Sequence, residues 1–205
     1  MPMRTQVERR GQTTSAILEA SLQALIEDGY SGFSVSGVAA RAGISRGSLE
    51  HYYPRKIDLV QAATEFAMEQ AIAQARAMVP SPEIPNDPLQ RFLASSEQFF
   101  FSPMFLAMTE LAIAARSDVE LAKVVHPIIV RARQTLDEIW TDTLVLAGHP
   151  RAHVIQFIEL SHYLLRGVFY VSILLPYDID RRSVVETWRK LAPAALHIGG
   201  PQEAT

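Results

Sequence analysis

Residues 45–56 combine small polar, basic and aromatic side chains in the run "SRGSLEHYYPRK". On a helix that begins here, Arg46 has the donor geometry that pairs with the O6 and N7 atoms of guanine. Ser48 can donate or accept a hydrogen bond, and Gly47 permits a close backbone approach. Glu50 can accept a hydrogen bond from cytosine N4, although it repels phosphate. The run therefore predicts contacts with base edges in a DNA groove.

The far end of the same run predicts contacts with the DNA backbone. His51 lies on the same outward face as the preceding polar residues. Tyr52 offers a hydroxyl group and Lys56 an ammonium group, and both groups can hold phosphates. The next helix begins near Arg55, so its N-terminal dipole adds to the attraction. Such contacts would fix the register of the protein on the duplex while base contacts select the sequence.

Two short helices joined by a tight turn would position this surface. Ala39 is small enough for a close helix crossing, and Gly43, four residues later, accepts the positive φ that the turn requires. Leu49 follows six residues beyond Gly43 and can close the small core. This spacing fits a helix-turn-helix. It also occurs by chance in helical bundles, so the spacing alone leaves open a bundle with a polar face.

A wider set of features agrees with the helix-turn-helix. The first helix ends at Gly29, Phe33 precedes "SVSGVA", and "AGIS" and "HYYPRK" follow. In these features the segment 14–56 resembles the N-terminal domain of the tetracycline-repressor-like (TetR) family of transcriptional regulators. The stretch "ELAIAARSDVEL" (110–121) also looks like part of that family's second domain. The remainder of the second domain diverges too far for residue-level transfer.

The resemblance implies DNA contacts from the second helix, the third helix and the start of the fourth. On the second helix it implies Ser34 or Ser36. The family usually has an aromatic residue where this chain has Glu50, which leaves the base preference open. The expected DNA-binding residues are Ser34, Ser36, Arg46, Gly47, Ser48, His51, Tyr52 and Lys56.

Composition and charge are consistent with this expectation. The 205 residues are 48% hydrophobic and 20% charged, which is typical of a globular protein. The absence of cysteine excludes disulfides, thiolate catalysis and cysteine-ligated metals. Residues 1–56 carry seven Lys/Arg and five Asp/Glu, a net +2, whereas residues 57–205 carry twelve and seventeen, a net −5. The polar N-terminus has no apolar signal-peptide core, so we expect a cytoplasmic protein that does not enter a membrane.

Helical periodicity runs through almost the whole chain and predicts an all-α fold of about nine helices. We expect a helix-turn-helix domain over residues 1–56 and a larger helical effector-binding and dimerisation domain over 57–205. Thr13 or Thr14 is a plausible first N-cap, and Pro127 and Pro193 predict a kink or break inside their helices. The predicted helices cover residues 13–29, 35–42, 45–52, 55–78, 89–101, 103–116, 119–147, 150–175 and 181–197, with a proline-rich linker at 79–88.

The segment 157–175 is apolar on nearly all sides, so we expect it to be covered on most of its surface. The C-terminal helix after it is amphipathic. The two helices could pair with their symmetry mates in a four-helix interface, an arrangement that the resemblance also implies. Such a homodimer would place two recognition helices one DNA turn apart on a palindromic operator.

Aromatic and methionine side chains in the second domain could line a cavity for a small lipophilic molecule. The alternative is that most of them are ordinary core. Polar residues on apolar faces, such as His162, are also more often structural than ligand-binding. The candidate ligand-binding residues are Phe92, Phe99, Met104, Phe105, Met108, Trp140, Tyr163 and Arg166.

Metal and catalytic patterns are weak. His149 and His153 are four residues apart and Glu159–His162 forms one E-x-x-H pair, whereas a carboxylate-bridged di-metal bundle needs two such pairs. No nucleophile elbow or phosphate-binding loop occurs, so we expect no metal, no cofactor and no enzyme. The favoured hypothesis is a ligand-responsive transcriptional regulator, most simply a repressor. The alternatives are an enzyme with an apolar cavity and a helical protein-interaction module.

Overall fold

The computed structural model describes residues 6–79, 87–175 and 180–198. Within these residues the regular secondary structure is entirely α-helical, as predicted, and no strand occurs. The linker predicted at 79–88 lies mostly outside the described residues. The nine described helices are α1 (Gln6–Gly32), α2 (Val35–Arg41), α3 (Arg46–Tyr52), α4 (Lys56–Met78), α5 (Pro88–Phe100), α6 (Pro103–Ala114), α7 (Val119–Leu146), α8 (Arg151–Leu174) and α9 (Arg181–Ile198).

The start of α1 differs from the prediction, whereas its end agrees. The helix begins at Gln6, and the Thr14 hydroxyl donates to the Arg10 carbonyl inside the helix at 3.0 Å, so Thr14 is not a cap. The prediction was wrong because it followed apolar periodicity, whereas Glu, Arg and Gln have good helix propensity without it. Gly29 leaves helical geometry with φ 64° and ψ 179°, at the predicted end.

Neither internal proline breaks its helix. Pro127 lies inside α7 and Pro193 inside α9, and both helices continue on either side. A proline removes one backbone hydrogen bond, but buried neighbours hold the helix together. Val125 and Ile128 are buried beside the first proline, and Ala192 is buried beside the second.

The chain divides into two compact units. The first comprises Met1–Gln70 and Pro103–Ala132, and the second comprises Ala71–Ser102 and Arg133–Thr205. In the first unit α2 packs on α1 and α3, and α6 packs on α1. Its fully buried side chains include Ile17, Leu25, Val38, Leu49, Leu59, Leu111 and Leu121.

Aromatic packing organises the core of the second unit, where α8 packs on α5 and α9. The Phe92 ring lies 5.7 Å from Trp140 and 5.6 Å from Phe157, and Phe157 stacks on Trp188 at 5.8 Å. An ion pair adds to this core at its edge, because Arg189 Nη2 lies 2.6 Å from a Glu97 carboxylate oxygen.

Helix α8 is less covered than its composition predicts. Of the described helices, it is the one long and apolar enough to cross a membrane, yet only 33% of its most apolar window is buried within the chain. The buried face includes Val154, Phe157 and Leu165 and packs into the second unit. The opposite face leaves Leu160 and Tyr163 about half exposed. The prediction that this helix is covered on most sides is therefore not met by one chain alone.

Candidate nucleic-acid interface

The turn between α2 and α3 has the geometry that the spacing predicted. Ser34 caps α2, because its hydroxyl oxygen accepts a hydrogen bond from the Gly37 backbone N–H at 3.1 Å. Gly43 adopts φ 67°, and Ala39 is buried at the helix crossing. Ser36 is exposed on α2. The Ser34 hydroxyl is thus occupied by a structural role, whereas Ser36 is free to face a partner.

The recognition helix, α3, is short and held at both ends. The Ser45 hydroxyl oxygen accepts a hydrogen bond from the Ser48 backbone N–H at 3.1 Å, which fixes the first turn. Leu49 is fully buried and anchors the helix to the core of the first unit. The structure leaves the remaining predicted base-contacting positions together on the exposed side: Arg46, Gly47, Ser48 and His51.

Glu50 is paired with Arg46 across one turn of α3. The Arg46 Nε donates to a Glu50 carboxylate oxygen at 2.7 Å, and the two side chains are 66% and 42% exposed. The sequence left two alternatives, that Glu50 selects a cytosine or that it points away from DNA. The geometry adds a third, in which Glu50 orients Arg46 while the DNA is absent. An exposed pair of this kind contributes only about 0.3–0.5 kcal/mol, so it can open when a base competes.

Sequence reasoning missed Arg10 as a neighbour of the recognition helix. The Arg10 Cζ lies 5.9 Å from the centroid of the Tyr52 ring, and Tyr52 is half-buried. The His51 ring meets the other side of this group edge-on at 6.1 Å. The prediction began the first helix after Arg10, so no face could be assigned to this residue. The basic run "ERRG" was the available signal.

Lys56 lies beside two aromatic rings at the start of α4. Its Nζ is 4.6 Å from the Tyr30 ring centroid and 5.7 Å from that of Phe33. Burial lowers the pKa of Lys56 from its ordinary value. Neighbouring Arg55 is paired with Asp58, and this hydrogen bond raises the pKa of the Arg55 guanidinium. The rings therefore orient an ammonium group that is otherwise flexible.

The candidate effector residues separate between the two units. In the second unit, Phe92 and Trp140 are buried core, and Phe99 is half-buried beside Phe100. Tyr163 is mostly exposed, and its hydroxyl donates to Glu159 at 3.2 Å. The first unit holds the three α6 candidates, which are half-buried Met104 and buried Phe105 and Met108.

Arg166 is half-buried on α8, with its Cζ 5.3 Å from the centroid of the Phe100 ring. Burial lowers the pKa of its guanidinium, and the nearby charge of Arg133 lowers it further.

A groove of about 340 Å³ lies between α7 and α8 in the second unit. Its lining is more polar than the predicted aromatic and methionine cavity, and sequence reasoning did not assign it. The signal was a set of charged residues spaced three to four apart along the two helices. The lining residues are Arg133, Gln134, Asp137, Glu138, Thr141, Arg151, Ile155, Ile158 and Glu159.

The weak metal patterns do not converge. Within the described residues, no three His, Cys, Asp or Glu side chains form a group able to hold a metal ion. His149 instead faces His197, with the ring centroids 5.5 Å apart.

Comparison with known proteins places these features in a family. Residues 17–63 match the family model described as bacterial regulatory proteins, tetR family. The HTH-type transcriptional regulator CymR of Pseudomonas putida is 31% identical over 170 residues, which cover 83% of this chain and 84% of that protein.

Solved structures show the same fold. A TetR transcription regulator from Haloarcula marismortui matches 92% of this chain and 98% of its own with a TM-score of 0.65 at 17% identity. The multidrug binding protein EbrR complexed with ethidium matches 87% of this chain and 98% of its own with a TM-score of 0.59 at 20% identity. With the capped recognition helix and the extent of the CymR match, the chain belongs to the TetR family of helix-turn-helix transcriptional regulators.

Proposed function

We propose that this regulator binds a palindromic operator as a homodimer in the cytoplasm, represses transcription, and is released by a small lipophilic molecule. The observation that carries the proposal is the exposed side of α3, which Ser45 caps at one end and buried Leu49 anchors to the core. We favour it over an enzyme or a protein-interaction module because the relatives are transcriptional regulators.

Residue roles follow from position on this surface. Arg46 pairs with a guanine, and Ser48 and His51 contact neighbouring bases or phosphates. Gly47 allows a close backbone approach. Lys56, oriented by Tyr30, binds a phosphate. Ser36 and Tyr52 reach the backbone from either side, and Ser34 contributes mainly by capping α2.

The phosphate role of Lys56 is tested by fluorescence anisotropy on duplex DNA over a range of salt concentrations. Lys56→Ala should weaken binding about equally for all sequences and reduce the slope of log K against log salt by about one. Lys123→Ala is the matched control, because Lys123 is exposed on α7 outside the proposed surface. Equal strength and slope for Lys56→Ala and the original protein would reject the phosphate contact.

The dimer interface is proposed on the exposed stripes of α8 and α9. Leu160, Tyr163 and Leu174 follow one another along α8, and Val184 and Leu191 lie seven residues apart on α9. Exposed apolar stripes on two helices that pack together are typical of an interface. Pairing with a second copy would cover the part of α8 that one chain leaves open.

Gly167 provides a clean test of that interface. It is exposed in the middle of the α8 stripe, and a Cβ atom built on it meets no other atom within 4 Å. Gly167→Arg should therefore leave the subunit folded and obstruct the partner, giving monomers in analytical ultracentrifugation. The control Ile113→Arg alters another exposed apolar residue outside the stripes. A Gly167→Arg protein that stays dimeric would exclude this surface.

We propose residues 1–56 as the DNA-binding domain and 57–205 as the effector-binding and dimerisation domain. EbrR has been solved with ethidium and with imidazole, which supports a small-molecule effector here. The effector must bind one separation of the two recognition helices better than the other, because equal affinity shifts nothing. Helix α4, which begins at Lys56 and ends at Met78, is the proposed lever between the two functions.

A further inference from the structure

Arg166 is a half-buried cation without a counter-ion. It makes no ion pair or hydrogen bond with the described part of the chain, and its one recorded contact is with the face of Phe100. The hydroxyl groups of Tyr163 and Tyr170 are near enough to influence its charge, but Tyr163 already donates to Glu159. A guanidinium removed from water without a carboxylate partner is costly, so a fold that keeps one has a use for it.

The groups around Arg166 carry an excess of positive charge. Arg133 and Asp137 form a long ion pair at 3.5 Å on α7. His162, one turn before Arg166 on α8, is only 8% exposed, and its ring lies 5.2 Å from that of Phe100. With His162 neutral, two arginines face one aspartate, and the net charge of this cluster is +1. One anionic group would balance it.

Buried polar atoms in the same cluster also lack hydrogen bonds. His162 Nδ1 and Asp137 Oδ1 lie 3.3 Å apart, close enough for an ion pair. Their angles do not form a hydrogen bond, so each atom has no hydrogen-bond partner in the described structure. An unsatisfied buried polar atom is unusual in a folded protein and is often found where a ligand binds.

The groove between α7 and α8 gives access to this cluster. It shares Arg133 and Asp137 with the cluster, and its volume of about 340 Å³ suits a small organic molecule. The groove also holds Glu138 and Glu159, which would favour a cation. Glu138 is exposed and hydrated, however, and Glu159 already accepts the Tyr163 hydroxyl proton.

The last charged residue of the groove, Arg151, is paired with Asp142 at 2.9 Å. The charge that lacks both water and a partner is therefore the one on Arg166.

We propose that the effector of this regulator is a small organic carboxylate with an apolar body. Its carboxylate pairs with Arg166, which presents parallel N–H donors, and with Arg133. The apolar body lies along Phe100 and the groove residues Ile155 and Ile158. This inference rests on the proposed effector function and specifies the chemistry of the ligand.

The test uses carboxylates and their uncharged amides as matched probes on the full chain. Benzoate, 2-naphthoate and octanoate are each compared with the corresponding primary amide, and benzamidine represents a cation of benzoate's shape. Isothermal titration calorimetry should show at least one carboxylate binding about tenfold or more tightly than its amide. If no carboxylate exceeds its amide, or if benzamidine binds more tightly than benzoate, the proposal is wrong.

Two arginine variants locate the charge that the ligand meets. Arg166→Gln should abolish the preference for carboxylate over amide, whereas Arg151→Gln, which removes an exposed and already paired charge, should retain it. Arg166→Gln should also melt no lower than the original protein, because it removes an unpaired half-buried charge. An unchanged preference in Arg166→Gln, or a lower melting temperature together with an unchanged preference, would assign Arg166 a structural role instead.

Ligand-free DNA binding separates this inference from the proposed function. The original protein and Arg166→Gln should bind duplex DNA equally in anisotropy measurements, and only the original should be released by the carboxylate. Failure of the original protein to bind any duplex overturns the proposed function. Normal DNA binding without carboxylate-selective binding overturns the effector chemistry alone.

Discussion

Glu50→Gln is the substitution that best distinguishes the roles open to the recognition helix. The change removes one negative charge and keeps the size and hydrogen-bonding reach of the side chain. In the structure Glu50 accepts from Arg46 at 2.7 Å. If this pairing is its main role, Gln should leave the base preference unchanged and strengthen binding to every sequence. If Glu50 accepts from a cytosine, the same change should weaken binding to the preferred site.

The expected magnitudes differ enough to decide between these roles. An exposed pair four residues apart contributes about 0.3–0.5 kcal/mol, and both side chains are well exposed. Releasing Arg46 from that pair should therefore tighten DNA binding about twofold. A good pairing between a side chain and a base is worth about 1–3 kcal/mol, so losing a cytosine contact should weaken binding about fivefold or more.

Fluorescence anisotropy with the selected operator and with single-base variants measures both effects. Glu69→Gln is the matched control, since Glu69 is exposed on α4 away from α3 and its substitution makes the same charge change. The reasoning predicts a small gain for Glu50→Gln, at all sequences, above any gain of the control. A loss confined to sites with a cytosine at one position would refute it and identify Glu50 as a base-contacting residue.

Two further substitutions test the elements that hold the recognition helix. Ser45→Ala should cost about 0.5–2 kcal/mol by removing the cap, whereas Ser36→Ala, which caps nothing, should melt almost as the original protein does. Gly29→Ala should cost about 1–2 kcal/mol, because φ is 64° and the new methyl group collides with the Glu110 carboxylate. The control Gly11→Ala, at an open helical position, should not destabilise. Thermal unfolding followed by circular dichroism measures each change, and unchanged melting of Ser45→Ala or Gly29→Ala contradicts these assignments.

The order of helices was predictable because local signals mark their boundaries. Ser34, Gly43 and Ser45 each act where their backbone chemistry requires, as caps or as a positive-φ turn. The start of α1 was not predictable from apolar periodicity, because its first turns are polar. Helix continuity through Pro193 depends on buried side chains around it, which is a tertiary effect.

Side-chain pairing was the least predictable part of both sites. Nothing in the spacing of Lys56 and Tyr30 announces that the ammonium lies over the ring, because the contact depends on how α1 meets α4. The Arg46–Glu50 pair was recognisable as a four-residue spacing, but its competition with DNA was not. Likewise, the isolation of Arg166 becomes visible only when the positions of Arg133 and Asp137 are known.

In vitro selection of duplex DNA, run in parallel with the original protein and Arg46→Ala, tests the central claim most directly. The account predicts that the original protein enriches an inverted repeat whose half-sites lie about 34–36 Å apart, or a multiple of that distance. Arg46→Ala should retain the repeat and lose one guanine preference at the same position of both half-sites. Failure to enrich a repeat, or identical preferences for the two proteins, would contradict it.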